Sequence, residues 1–303
     1  MRFEVLILGS SSATPIYGRH PTAQLINANE QLYLVDCGEG TQLQLAKYGI
    51  KGNRIKHIFI SHLHGDHYLG LIGLISSMHL VGRKDELFLY GPPALKEIID
   101  LHFVHSQTVL RYPLRFRATQ DQEEEVILET DMLRVSSFPL DHRIPCTGFR
   151  FDEKQRLPSI DKEKAAALGI PGAYLPLIKR GHDYSAPDGT VYRWQDLTIG
   201  PPAPRSYAYC SDTVRTDRYL PHIQHVDLLY HEATFLHDMV ERALDTYHTT
   251  ALQAGQVAEL VGAKKLLIGH YSARYKDLKP LLDESRTVFD ATQLALEGNW
   301  YNI

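Results

Sequence analysis

The run Ser61-His62-Leu63-His64-Gly65-Asp66-His67 constrains this chain more than any other segment, because four metal-competent side chains fall within six consecutive positions. It follows residues 55–60, a short apolar run that reads as a strand, and leads into residues 67–80, whose length and dense apolar content read as a helix. Alternation along an extended segment puts His62 and His64 on one side. Gly65 lets the chain turn, so that Asp66 and His67 face a second point close by. One short loop can therefore serve two metal ions. Imidazole and carboxylate without thiolate suit zinc, with manganese and iron also compatible with the ligand types.

The rest of the chain reads as a scaffold for that loop. Strands are expected at 3–9, 23–27, 31–35, 206–210, 226–230 and 265–269, and helices at 41–48, 93–105 and 250–261. The acidic stretch 121–125 reads as a solvated turn. With 303 residues, 44% of them hydrophobic and 22% charged, the chain can bury a full core, which excludes disordered and collagen-like classes. Only four apolar residues, 5–8, precede the first Gly/Ser turn, far short of a signal-peptide core or a membrane span, so a cytoplasmic location is expected. Cys37, Cys146 and Cys210 are single and scattered, which fits a reducing compartment and leaves any metal to His and Asp. A formal charge of -4 gives no global attraction for nucleic acid, so an RNA substrate requires a local basic patch. Residues 150–194 differ from the rest in their basic residues, glycines and prolines, and read as an insertion.

The loop 61–67 is the His-X-His-X-Asp-His signature, and the chain resembles the metallo-β-lactamase superfamily. That resemblance implies an α/β class fold, the αβ/βα four-layer sandwich, as a single domain over 1–303 with an inserted flexible arm at about 150–194. The later ligands of that superfamily are matched in order by His142 in Pro139-Leu140-Asp141-His142, by Asp212 in Tyr209-Cys210-Ser211-Asp212-Thr213, and by His270. Asp36, at the end of the strand 31–35, matches its first motif and is expected behind a metal-bound histidine, orienting it.

Within the superfamily the chain is similar to the tRNase Z family. The diiron members usually carry Glu where this chain has His64, and the lactamases lack His231-Glu232-Ala233-Thr234 followed by His248. The resemblance implies a zinc-dependent endonuclease that removes the 3′ trailer from precursor tRNA and works as a homodimer, with two zinc ions per subunit. It implies His62, His64 and His142 at one ion, Asp66, His67 and His270 at the other, and Asp212 bridging. Asp66 would handle the proton of the attacking water, and His248, held by Glu232, would protonate the leaving 3′ oxygen. The insertion sits where that family carries a tRNA-gripping arm, with Gly169 and Pro171 at its tip and Lys179 and Arg180 as phosphate contacts. Between Arg150 and His182, seven Lys/Arg stand against four Asp/Glu. Tyr174-Leu175-Pro176-Leu177 and Arg19-His20 depart from the family pattern. The alternative reading is a metal-dependent phosphodiesterase or arylsulfatase-like hydrolase of small esters, which shares the site but has no use for an arm.

Overall fold

In the computed structural model, which describes residues 2–303, apolar residues alternate between two cores along the early strands. Strand β1 (Phe3–Gly9) sends Val5 and Ile7 to one side and Leu6 and Leu8 to the other, as a period of two requires. It pairs antiparallel with β2 (Ala23–Ala28), which pairs antiparallel with β3 (Gln31–Val35). After helix α1 (Thr41–Lys47) the strands add in parallel: β4 (Ile55–Phe59) beside β3, β5 (Leu87–Gly91) beside β4, and β6 (Leu114–Ala118) beside β5.

The connection from β4 to β5 is two helices, α2 (Gly65–Tyr68) and α3 (Leu71–Leu80), where the sequence pattern predicts one. Gly70 is the reason. Its N–H leaves the helical ladder and donates to the Cys37 carbonyl at 2.9 Å. A Cβ at Gly70 would stand 2.2 Å from the Gly38 carbonyl oxygen, so only glycine lets the two segments approach this closely. Helix α4 (Ala94–His105) then crosses to β6.

The second sheet begins with β7 (Glu125–Glu129), β8 (Leu133–Leu140) and β9 (Cys146–Glu153). Arg150 and Asp152, grouped with the insertion on composition, belong to β9, where Phe149 and Phe151 fill the alternate, buried positions. The separate compact unit is Thr130–Met132 with Glu153–Pro204, so it starts later than 150 and runs past 194. It contains β10 (Ser159–Ile160), α5 (Lys162–Ala167), α6 (Leu175–Lys179), β11 (Tyr184–Ser185), β12 (Val191–Tyr192) and β13 (Thr198–Ile199). Asp161 caps α5 by accepting from the Lys164 N–H at 3.0 Å. Ala165, Ile170, Ile178, Tyr184 and Leu197 form a small core of their own.

The second sheet resumes with β14 (Ser206–Cys210), antiparallel to β9, followed in parallel by β15 (Leu228–Glu232), β16 (Leu266–Gly269) and β17 (Thr292–Leu294). Strand β15 lies two residues later than the 226–230 expected, which draws His231 and Glu232 into the sheet, fully buried. Helices α7 (Val240–Asp245), α8 (Ala251–Leu260) and α9 (Lys279–Arg286) accompany these strands. A capping box between Thr250 and Gln253 starts α8. The last strand, β18 (Trp300–Asn302), returns to the first sheet beside β1.

Aromatic side chains of both sheets meet in one core, as where Phe59 and Phe149 pack at a centroid distance of 5.5 Å with their rings tilted by 55°. Each sheet's opposite face packs helices, α1, α3 and α4 on the first and α8 and α9 on the second. The result is the helix–sheet–sheet–helix order expected. Burial on both faces explains the apolar runs in the central strands. The ends of the two sheets are tied together by Ser61 Oγ and Ser211 Oγ at 3.2 Å and by the Thr147 N–H donating to the Ser61 carbonyl at 3.1 Å. Residues just beyond β3, β4, β8, β14 and β16 therefore converge on one edge. No helix among the described residues is long and apolar enough to cross a membrane.

Candidate metal and catalytic centre

Two groups of ligand atoms meet at that edge. Around the first point stand His62 Nε2, His64 Nδ1, His142 Nε2 and Asp212 Oδ2: His64 Nδ1 is 3.1 Å from His62 Nε2 and 3.0 Å from His142 Nε2, and Asp212 Oδ2 is 3.6 Å from His62 Nε2 and 3.9 Å from His142 Nε2. Around the second stand Asp66 Oδ2, His67 Nε2, His270 Nε2 and Asp212 Oδ1, with His67 and His270 3.3 Å apart and Asp212 Oδ1 3.3 and 3.1 Å from them. Asp212 thus presents one carboxylate oxygen to each group. Every loop residue and later ligand expected from the sequence is brought into one of the two.

In four of the five imidazoles the opposite nitrogen is held by the protein, which fixes the tautomer. His67 Nδ1 donates to Asp36 Oδ2 at 2.8 Å, and the same oxygen accepts from Ser61 Oγ and from the Tyr209 hydroxyl at 2.6 Å. Because Ser61 gives its proton to Asp36, its oxygen accepts from His62 Nδ1 at 3.0 Å. His142 Nδ1 donates to the Tyr247 carbonyl at 3.0 Å. Thr234 Oγ1 donates to Glu232 Oε2 at 2.7 Å and accepts from His270 Nδ1 at 2.9 Å. His62, His67, His142 and His270 are therefore left with Nε2 lone pairs aimed inward, the form in which imidazole ligates.

Among the described residues, four of the nine non-glycine positions with positive φ bear on this site: Asp36, His270, Tyr247, whose carbonyl holds His142, and Ala13, whose N–H donates to Asp66 Oδ2 at 2.8 Å. Left-handed backbone at such residues costs on the order of 1 kcal/mol or more each and marks sites where geometry is held against local preference.

The residues fit a divalent cation. Asp212 Oδ1 is buried and finds no hydrogen-bond donor among the described residues. Burial drives the pKa of His62 well down, and that of His142 down to about 4, which keeps both neutral. Burial opposes charge on His67 too, but the carboxylates of Asp212, Asp66 and Asp36 overcome it and push that pKa well up. Three carboxylates converging there, those of Asp36 and Asp212 buried, call for positive charge, which a cation supplies.

Beside the cluster, His248 Nδ1 donates to Glu232 Oε1 at 2.9 Å. Glu232 also accepts from the N–H groups of Thr213 and Thr234, so this fully buried carboxylate is satisfied at both oxygens. Burial disfavours the charged form of His248, but Glu232, with Asp212 and Asp66, outweighs it and pushes the pKa up to about 9. A cleft of about 340 Å³ opens over the cluster, lined by His64, Asp66, Asp212, His248 and His270 from the floor and by Ala13, Glu39, Leu69 and Arg143 among others.

Sequence reasoning assigned no role to Tyr209, Thr234, Ser61 or Arg143. The first three lie inside motifs already quoted, next to the residues they support. Arg143 directly follows His142, and its charge was the only signal. The Ala13 amide offered none, since a backbone N–H leaves no mark in side-chain patterns. Lys179, Arg180, Gly169 and Pro171 are exposed residues of the Glu153–Pro204 unit.

A family model described as Anti-Pycsar protein Apyc1 matches residues 3–112, which hold the 61–67 loop but not His142, Asp212, His248 or His270. Longer likeness comes from individual proteins. The chain is 43% identical over 295 residues to the Ribonuclease Z of Porphyromonas gingivalis, covering 97% of each, and 44% identical over 304 residues to that of Cytophaga hutchinsonii, covering 100% of this chain and 97% of the relative. Among solved structures it is similar to human tRNase Z, short form, with a TM-score of 0.71 at 25% identity over 99% of both chains. It also shares the fold of the metallo-β-lactamase fold protein YhfI from Bacillus subtilis, with a TM-score of 0.70 at 20% identity. Likeness to curated relatives along nearly the whole length, through every segment that builds the cluster, means that this chain belongs to the ribonuclease Z family and has the metallo-β-lactamase fold.

Proposed function

We propose that the chain is a metal-dependent endoribonuclease that removes the 3′ trailer from precursor tRNA, leaving a 3′-hydroxyl on the tRNA and a 5′-phosphate on the trailer. The observation that carries this reading is the 43% identity to a ribonuclease Z over 97% of both chains. The Glu232–His248 pair beside the cluster supports it.

Two zinc ions, one held by His62, His64 and His142, the other by Asp66, His67 and His270, with Asp212 shared, would supply Lewis acidity toward a water and the phosphate oxygens. The chain's own residues do the rest. Asp66, turned by the Ala13 N–H, orients the attacking water and takes up its proton. His248 remains protonated at neutral pH because Glu232 favours its charged form, and it gives that proton to the departing 3′ oxygen. Asp36 holds His67 in its ligating tautomer.

Beyond the chemistry, the Glu153–Pro204 unit grips the tRNA backbone. Of its basic neighbourhood, Arg156 pairs with Glu153, whereas Lys179 and Arg180, at the end of α6, are exposed and offered to phosphates. Gly169 and Pro171 shape the adjoining turn, Gly169 at a φ of 65°. The enzyme acts as a cytoplasmic homodimer, with the exposed Leu43, Leu80 and Val81 of α1 and α3 as apolar surface for the second copy.

The test is incubation of metal-analysed protein with end-labelled precursor tRNA, beside Asp66→Ala and a chelator control. Cleavage just after the discriminator base, lost in the variant and with chelator, is expected. An intact precursor together with rapid hydrolysis of a small phosphodiester would move the assignment to a small-ester hydrolase.

A further inference from the structure

Among the described residues, Arg143 is the only lysine or arginine that lines the cleft. The backbone just before the preceding ligand is held at both its N–H and its carbonyl. The Asp141 N–H donates to Thr213 Oγ1 at 3.1 Å, and the Asp141 carbonyl accepts from the Val214 N–H at 2.9 Å. His142 is pinned by the Tyr247 carbonyl at 3.0 Å. The guanidinium itself is exposed and, among the described residues, joined to no carboxylate. Its neighbours are committed: Arg218 pairs with Asp141 at 3.1 Å and Arg215 stands 3.6 Å from Asp217. Holding one long cation unpaired at the rim of an acidic cleft has no structural benefit in itself, and the cationic group can reorient to meet a ligand.

The other charged side chain at the rim is Glu39, exposed, and carried by the loop after β3 in the first sheet, whereas Arg143 comes from the β8–β9 loop of the second. The scissile phosphate must lie on the floor, against the clustered ligands. A phosphate next to it in the strand then meets the rim, where one loop attracts it and the other repels it.

We infer that Arg143 binds the phosphate adjacent to the scissile one, and that Glu39 turns the RNA strand away from the opposite loop, so that the backbone passes the active site along the β8–β9 loop. This rests on the endoribonuclease reading. Guanidinium suits the contact because its planar fork can give two parallel N–H bonds to phosphate oxygens.

The test compares wild type with Arg143→Gln, Arg143→Lys and Glu39→Gln, each checked for unchanged zinc content. On precursor tRNA, Arg143→Gln should raise KM by about tenfold, the value of one charge-assisted bond, with a smaller change in kcat. The dependence of log kcat/KM on log salt should become shallower by roughly 0.7, the loss of one single-strand phosphate contact. Lysine should restore part of the affinity, and Glu39→Gln should lower KM. An unchanged KM and salt slope in Arg143→Gln would overturn the inference, as would a fall in kcat with KM unmoved, which places Arg143 at the scissile group instead. Equilibrium binding of a hexanucleotide RNA by anisotropy separates this inference from the reading beneath it. If wild type leaves precursor tRNA intact, the endoribonuclease reading fails, yet weaker hexanucleotide binding by Arg143→Gln still supports the phosphate contact and equal binding removes it.

Discussion

At the cleft floor, a single oxygen of Asp36 accepts from Ser61, His67 and Tyr209, and Glu232 accepts from two backbone amides, Thr234 and His248. In the Glu153–Pro204 unit, Lys179 and Arg180 stand in solvent beside a small core of five buried side chains. Burial explains the difference. A buried charge must be fully paired or it costs several kcal/mol, so the floor can only exist as a fixed network, with geometry set before substrate arrives. Exposed cations carry no such penalty and stay free to move, as the proposed contact of Lys179 and Arg180 with an RNA backbone requires. In the proposed function, rigid chemistry and adaptable grip thus fall to different parts of the sequence.

The largest effect expected on either side comes from the floor. His248→Ala should lower kcat by about 10²–10⁴-fold, the usual contribution of a positioned general acid, with zinc content and KM little changed. Loss of zinc in that variant would instead make His248 a ligand, and its ligand atom does lie within 4.8 Å of those of Asp212 and His270. A wild-type rate would remove it from the reaction.

Deleting residues 155–190 challenges the other side. The three larger cores contain no residue of that stretch, so the remaining chain should keep its fold. Cleavage of precursor tRNA should fall by roughly 10²-fold in kcat/KM, the value of a second linked contact, while hydrolysis of a single small phosphodiester persists. Equal loss on both substrates would show that the unit supports the floor rather than gripping RNA.

The same burial argument governs what could be read in advance. Residues 61–67 announced themselves because ligand types were crowded behind an apolar strand, and the double-faced burial of the central strands gave runs that are hard to misplace. The break between α2 and α3 was hidden, since Gly70 matters only through its approach to Cys37 and Gly38, distant in sequence. Composition puts the start of the inserted unit too early, at Arg150 and Asp152, because their charges look like loop composition, although they occupy alternate positions of β9. Tyr209 and Thr234 stand in the sequence within recognisable motifs, but a hydroxyl acquires a role only from what it faces.

Tyr209 gives the finest test of the fixed network. Its hydroxyl reaches Asp36 Oδ2 at 2.6 Å, and Asp36 in turn holds His67, so Tyr209 is two hydrogen bonds removed from any ligand atom. Tyr209→Phe keeps the ring, which stacks on Tyr230 at 5.0 Å, and removes only the donor. Outer partners of metal ligands are worth about 10–100-fold in affinity, and one that acts through a carboxylate with three other donors should sit near the lower bound. Titration with zinc against a competing chelator should therefore show one equivalent, at the Asp66–His67–His270 group, weakened about tenfold, while the equivalent at His62, His64 and His142 keeps its affinity. That asymmetry is the decisive readout, because Asp36 touches His67 directly but reaches His62 only through Ser61. Equal weakening of both equivalents would mean that the two groups respond as one unit through Asp212, and no weakening would mean that the remaining donors on Asp36 suffice to hold His67 in place.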